Sequence, residues 1–228
     1  MASESTVSQR FFVLETGGPS SRYDVDVDKT EPVNRGEPPR CPKCGGIIGL
    51  LTWLPPFRAE LELYGDGVGD YIRGMGYERL ISERFADAFR EAGLTGLNGF
   101  HPVDISRVRF MRKRSRNPPA IPRYFVVWPC FGQASVDLVL NRVGFSKPPT
   151  CTQCRSTGID TVHGFVLDPG SWGGEDIFRP RGLQGDIVVS ERFKEFVERH
   201  GLTNMKLTPT EQFVSDPSKR GPPPLPTA

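Results

Sequence analysis

A chain of 228 residues is long enough to bury a sizeable core in one large domain or two small ones. Its 25 glycines and 22 prolines, with 37% hydrophobic and 25% charged residues, describe a turn-rich globular protein and exclude an all-helical one. A net charge of +2 makes no bulk demand for nucleic acid or an anionic membrane, and no stretch approaches the roughly 20 apolar residues of a membrane helix.

Met1 to Gln9 is polar, a flexible N-terminus without the apolar run of a signal peptide. Cytoplasmic residence with reduced thiols is therefore expected, which favours metal binding over disulfides. Arg10 to Glu15 reads as a short buried strand, and Tyr23 to Asp28 alternates strictly. The alternation puts Tyr23, Val25 and Val27 on one face and Asp24, Asp26 and Asp28 on the other. A carboxylate row binds hard cations, but an exposed sheet face has the same pattern.

A connector rich in Gly and Pro, Asn34 to Pro39, then delivers Cys41-Pro42-Lys43-Cys44-Gly45. After the apolar run Ile47 to Leu54, Arg58 to Tyr64 alternates as a half-buried strand. The glycines at 65, 67 and 69 lack the spacing of a phosphate cradle. Ile81 to Gly93 is the clearest helix: Ser82 caps it, Glu83 suits its positive end, and Gly93 fits the stop. Phe85, Ala88, Phe89 and Ala92 form its apolar stripe. Arg107 to Arg116 carries six basic residues, read as a strand with a basic outer face running into a loop, or else as a phosphate-tracking surface. Tyr124 to Trp128 and Val136 to Leu140 are expected strands.

The first half then echoes in the second. Pro-Pro-x-Cys-x-x-Cys returns at Cys151-Thr152-Gln153-Cys154, and Ser-Glu-Arg-Phe returns at Ser190 to Phe193, with Gly-Leu-Thr after each helix. The paired serines are 108 residues apart and the leading cysteines 110. Hairpin and helix thus recur together, the mark of an internal duplication. Two Cys-x-x-Cys hairpins supply the four thiolates of a closed tetrahedral zinc site, so Cys41, Cys44, Cys151 and Cys154 are the candidate metal ligands. Two thiol pairs without metal, and redox-active pairs, are the alternatives; Gly45-Gly46 disfavours the helix that a redox pair normally opens. Cys130 reads as a small buried hydrophobe, and His163 as a substitute ligand at most. The fold expected is α+β: mixed or antiparallel sheets, two equivalent packed helices and a zinc-ribbon-like four-cysteine site. One duplicated domain would span 10–213, with half-repeats of about 10–108 and 109–213, followed by a disordered Pro-rich tail over 214–228.

The two cysteine pairs, Asp176-Ile177-Phe178-Arg179 and Val188-Val189-Ser190-Glu191-Arg192-Phe193 together resemble the double-CXXCG motif proteins of myxobacteria, a family that includes Sit-type immunity proteins. The likeness spans roughly Phe11 to Leu207 and is densest from Cys151 to Leu202. It implies a cytoplasmic, non-catalytic immunity protein that binds and neutralises one cognate protein toxin, with structural Zn2+ on the four cysteines. Arg155 departs from the glycine of the motif and bears on the geometry of the second hairpin. No toxin-binding residue is carried over, and the oligomeric state has no marker. The alternative is a zinc-ribbon nucleic-acid-binding protein using the 107–116 run, with a thiol oxidoreductase behind it.

Overall fold

The computed structural model describes residues 9–18, 21–111 and 119–223. In chain order, β1 (Phe11–Glu15), β2 (Val25–Lys29), β3 (Asn34–Arg35), β4 (Trp53–Leu54), β5 (Arg58–Leu63), β6 (Tyr71–Arg73) and β7 (Arg79–Ser82) lead into helix α1 (Glu83–Glu91). Strands β8 (Leu97–Phe110), β9 (Tyr124–Ser135), β10 (Val143–Phe145), β11 (Ile159–His163), β12 (Ile177–Arg181) and β13 (Val188–Ser190) precede helix α2 (Glu191–Arg199). β14 (Lys206–Pro209) and β15 (Val214–Ser215) follow it. The described residues are mostly sheet with two α-helices, an α+β protein. No helix among the described residues is long and apolar enough to cross a membrane.

Strand β9 is the spine. Its first half pairs with β7 and its second half, in parallel, with β12, while β8 lies along its other edge. On one side the order β6-β7-β9-β8-β5-β2 wraps a core that includes Val27, Trp53, Leu61, Ile72, Leu80 and Val126. The wrapping brings β2 back into contact with β6, although the two do not pair. On the other side β12, β13, β1 and β14 continue the sheet. A small sheet, β10-β11-β15, covers a separate apolar cluster around Phe165, Phe178 and Phe213.

The two helices are built alike. Each begins at a serine in extended conformation, Ser82 or Ser190, whose hydroxyl accepts the N–H of Phe85 or Phe193. Their apolar stripes meet in one aromatic cluster: Phe85 lies 6.2 Å from Phe193 and 5.8 Å from Phe196, and Phe89 lies 6.2 Å from Phe196. Full burial of each such ring contributes about 2–3 kcal/mol. The polar ends interlock as well. Ser82 Oγ donates to Asp70 at 2.7 Å, Arg84 Nε donates to the same carboxylate at 2.7 Å, and Thr203, just past α2, adds its N–H at 2.9 Å. In the second half Ser190, Arg192 and Thr95 donate to Asp176 at 2.9, 3.0 and 3.0 Å. Each arginine also reaches the far helix's free carbonyls: Arg84 to His200 and Gly201, Arg192 to Ala92 and Gly93. A cation at a helix C-terminus answers both its orphan acceptors and its dipole.

Two stretches depart from the sequence reading. Val136 makes only an isolated bridge to Leu167, and Leu138 to Leu140 form a turn, not a strand, because Asp137 Oδ1 accepts the N–H groups of Val139 and Leu140 at 2.7 and 2.9 Å. Local side-chain bonds of this kind compete directly with a ladder. The segment past 213, expected to lack order, instead contributes β15, which pairs with β11. Beyond it Asp216 accepts the N–H groups of Arg220 and Gly221 at 2.9 and 2.8 Å. Residues 224–228 and 1–8 lie outside the described residues.

Burial raises the pKa of Asp70, but hydrogen bonds from Arg84, Ser82 and Thr203 outweigh it and hold the carboxyl below its usual value. Its contribution is therefore complete above about pH 4, the ordinary aspartate value, and is lost as acid titrates the lowered group. Asp70→Ala and Asp176→Ala should each lower unfolding stability by about 3 kcal/mol in urea titrations at pH 7. The Asp70→Ala deficit should shrink on acidification below pH 4.

Candidate metal centre

Each cysteine hairpin is shaped by one residue in the left-handed region. Gly45 has φ +70 and returns its N–H to the Cys41 carbonyl at 2.9 Å. Arg155 occupies the same place with φ +51 and makes the same 2.9 Å bond to Cys151. A non-glycine residue there is strained, by about 1 kcal/mol. Its side chain is anchored: Nη1 donates to the Val136 carbonyl and pairs with Asp168 at 2.6 Å. The departure from glycine thus leaves the turn intact.

The hairpins face each other. Cys41 Sγ lies 3.9 Å from Cys151 Sγ, Cys44 Sγ lies 3.8 Å from Cys154 Sγ, and all four sulfurs fall within 4.8 Å of one another. Zinc–sulfur bonds of about 2.3 Å in a tetrahedron set sulfurs about 3.8 Å apart, so the spacing fits a closed thiolate shell. Lys43 Nζ donates to Thr152 Oγ1 at 2.6 Å and ties one hairpin to the other outside the sulfurs. Ile48 and Phe131 pack against the buried thiols. Arg179, buried on β12, holds the loop after the first hairpin by donating to the Ile48 carbonyl at 3.1 Å. Its guanidinium lies 4.2 Å over the Tyr77 ring. The Cys154 carbonyl is taken by Gln184 at 2.7 Å.

Burial is unequal: Cys41 and Cys154 are 2% and 1% exposed, whereas Cys44 is open to solvent and Cys151 partly so. The thiol pKa values also spread, but not by burial alone: burial raises Cys41, yet backbone N–H groups of Cys44 and Lys43 bring it below its ordinary value, and open Cys44 is raised. Backbone N–H groups of Cys154 and Gln153 pull Cys151 down to about 6, while burial pushes Cys154 up to about 12. Those N–H groups would stabilise thiolates in a metal complex.

The other sequence candidates lie elsewhere. Cys130 is outside the cluster; burial raises its thiol to about 11, and its Sγ lies 3.8 Å from the Ile177 carbonyl. His163 faces Asp216 at 3.3 Å beside β15. His101 stacks on Phe57, and His200 closes α2 with its ring against Phe196. Of the basic run, Arg109 sits among Glu60, Glu62 and Asp28 at 2.9, 3.2 and 4.0 Å, so its charge is met within the sheet. Arg112, Lys113, Arg114 and Arg116 lie outside the described residues. The sequence reading missed the anchors Asp168, Arg179 and Gln184. Arg179 closes the Asp176-Ile177-Phe178-Arg179 motif but has no role assigned there, and no local motif marks Asp168 or Gln184, which act from distant loops.

No protein-family model matches the chain, and no curated protein matches it in sequence.

Substitution with Co2+ should give the charge-transfer absorption of a tetrahedral thiolate complex, with affinity rising with pH as the thiols lose protons. Cys154→Ser should abolish that absorption, and Cys130→Ser should leave it unchanged.

Proposed function

We propose that this protein binds and neutralises a cognate protein toxin, with zinc on Cys41, Cys44, Cys151 and Cys154 holding its two halves together. The observation that carries the reading is the likeness of the motif set to double-CXXCG immunity proteins, joined to a four-sulfur cluster that spans the chain. Four thiolates complete a tetrahedral shell and leave no position for a substrate, which supports a structural ion over a catalytic one. The protein acts in the cytoplasm, without catalysis, by covering the toxin through an interface of roughly 1,600 Å2. The two hairpin-and-helix units descend from one duplicated unit; the reciprocal Asp70 and Asp176 contacts support this, since donors of the same types meet both carboxylates.

Two measurements test the reading separately. Protein purified without added metal should contain about one zinc per chain, and chelation should lower its melting temperature. A toxin-like domain encoded beside its gene, once found, should be neutralised on co-expression, restoring growth and yielding a complex that co-purifies. Zinc without rescue would leave the clasp standing and overturn the immunity reading.

A further inference from the structure

A cleft of about 400 Å3 opens where the end of β1, strand β6 and the turn before β13 meet. Its walls include Leu14, Tyr71 and Ile187, all buried, and the Leu14 N–H donates to the Ile187 carbonyl at 2.8 Å. The packed core therefore sets its shape. Four charged side chains also line it: Glu15, Arg73, Arg79 and Asp186. Glu15 is answered by Lys206 at 3.1 Å. The other three have no ion-pair partner among the described residues.

Their lack of partners sets them apart from the fold's other withdrawn charges. The buried carboxylates Asp70, Asp176 and Glu78 each have a cation at hand, in Arg84, Arg192 and Lys29. Asp186 has neither a cation nor a side-chain hydrogen bond among the described residues. Burial, then Glu15, raise its pKa to about 6, and Arg73 only partly offsets them. A carboxylate in such a place is short of donors. Arg79, 8% exposed, has the opposite need. Its Nε donates to Tyr71 Oη at 3.0 Å, and its Nη1 to the Gly76 and Glu78 carbonyls at 3.0 and 2.7 Å. Nη2 has no acceptor among the described residues. A guanidinium this buried is ordinarily matched by an anion.

We propose that this cleft binds a small zwitterion of the α-amino acid class, its carboxylate on Arg79 and Arg73 and its ammonium on Asp186. The planar guanidinium suits a carboxylate, and an ammonium brings the N–H donors that Asp186 lacks. A plain anion would answer the arginines and repel Asp186. A plain cation would answer Asp186 and meet two arginines. Only a ligand with both charges satisfies the whole cleft, whose volume falls in the range of small-molecule sites. The inference rests on neither the zinc site nor the toxin.

The test titrates the full chain, labelled with 15N, with L-alanine at constant ionic strength. Propionate and ethylamine, each lacking one of its charged groups, are titrated alongside. L-alanine should shift the amides of Arg73, Gly185 and Ile187 saturably, and each analogue should bind about tenfold more weakly. The variants should divide that selectivity. Asp186→Asn should narrow the gap between L-alanine and propionate, and Arg73→Gln the gap between L-alanine and ethylamine. Neither change removes a side-chain hydrogen bond seen among the described residues, so both variants should fold. The absence of a saturable shift with L-alanine in the wild-type protein, or propionate binding as tightly as L-alanine, would overturn the proposal. So would wild-type selectivity retained in both variants.

Discussion

Asp70 and Asp176 are carboxylates placed where a carboxylate is costly, and the rest of the fold is arranged to answer them. Asp70 is 6% exposed and Asp176 2%. Each takes a serine that also caps a helix, an arginine from that helix's first turn, and a threonine from beyond the other helix. A buried charge is tolerable only when its hydrogen bonds are this complete. Because the donors come from both halves, neither carboxylate is satisfied until both helices have docked. Their specific arrangement follows from that demand as much as from the phenylalanines between them.

The cysteine cluster repeats the principle at the other end of the chain's long-range contacts. It brings Cys41 and Cys44 beside Cys151 and Cys154 across all of β4 to β10. Closing so long a loop carries an entropy penalty that grows only slowly with length, so one strong joint can offset it. The polar hubs and the sulfur cluster act on the same two halves from different places, with β9 running between as a shared strand.

The helices were legible in the sequence because their signals are local: a serine cap, an acidic first turn, a stripe at helical spacing and a glycine stop all lie within one short window. The sulfur cluster was legible because two thiols three residues apart announce a hairpin wherever they occur. β8 and β9 were only partly legible. Their length reflects pairing with each other and with distant strands, and Gly99 and Pro129 interrupt any simple alternation. Val136 to Leu140 misled for the opposite reason: its apolar residues read as a buried strand, but one carboxylate oxygen of Asp137 diverts the backbone. The role of the hubs was hidden because their carboxylates stand outside the two helices; Asp176 stood only as the first residue of a quoted motif, and Asp70 had no such mark.

The unequal burial of the sulfurs gives each hairpin an inner and an outer ligand, Cys41 with Cys44 and Cys154 with Cys151. An ion held there has a direction of departure. A competing thiol or chelator meets the outer pair first, while the inner pair keeps its grip from opposite hairpins. An ion bound there would thus be exchanged by handing over ligands one at a time, with the lifetime of the bound ion separable from that of the fold.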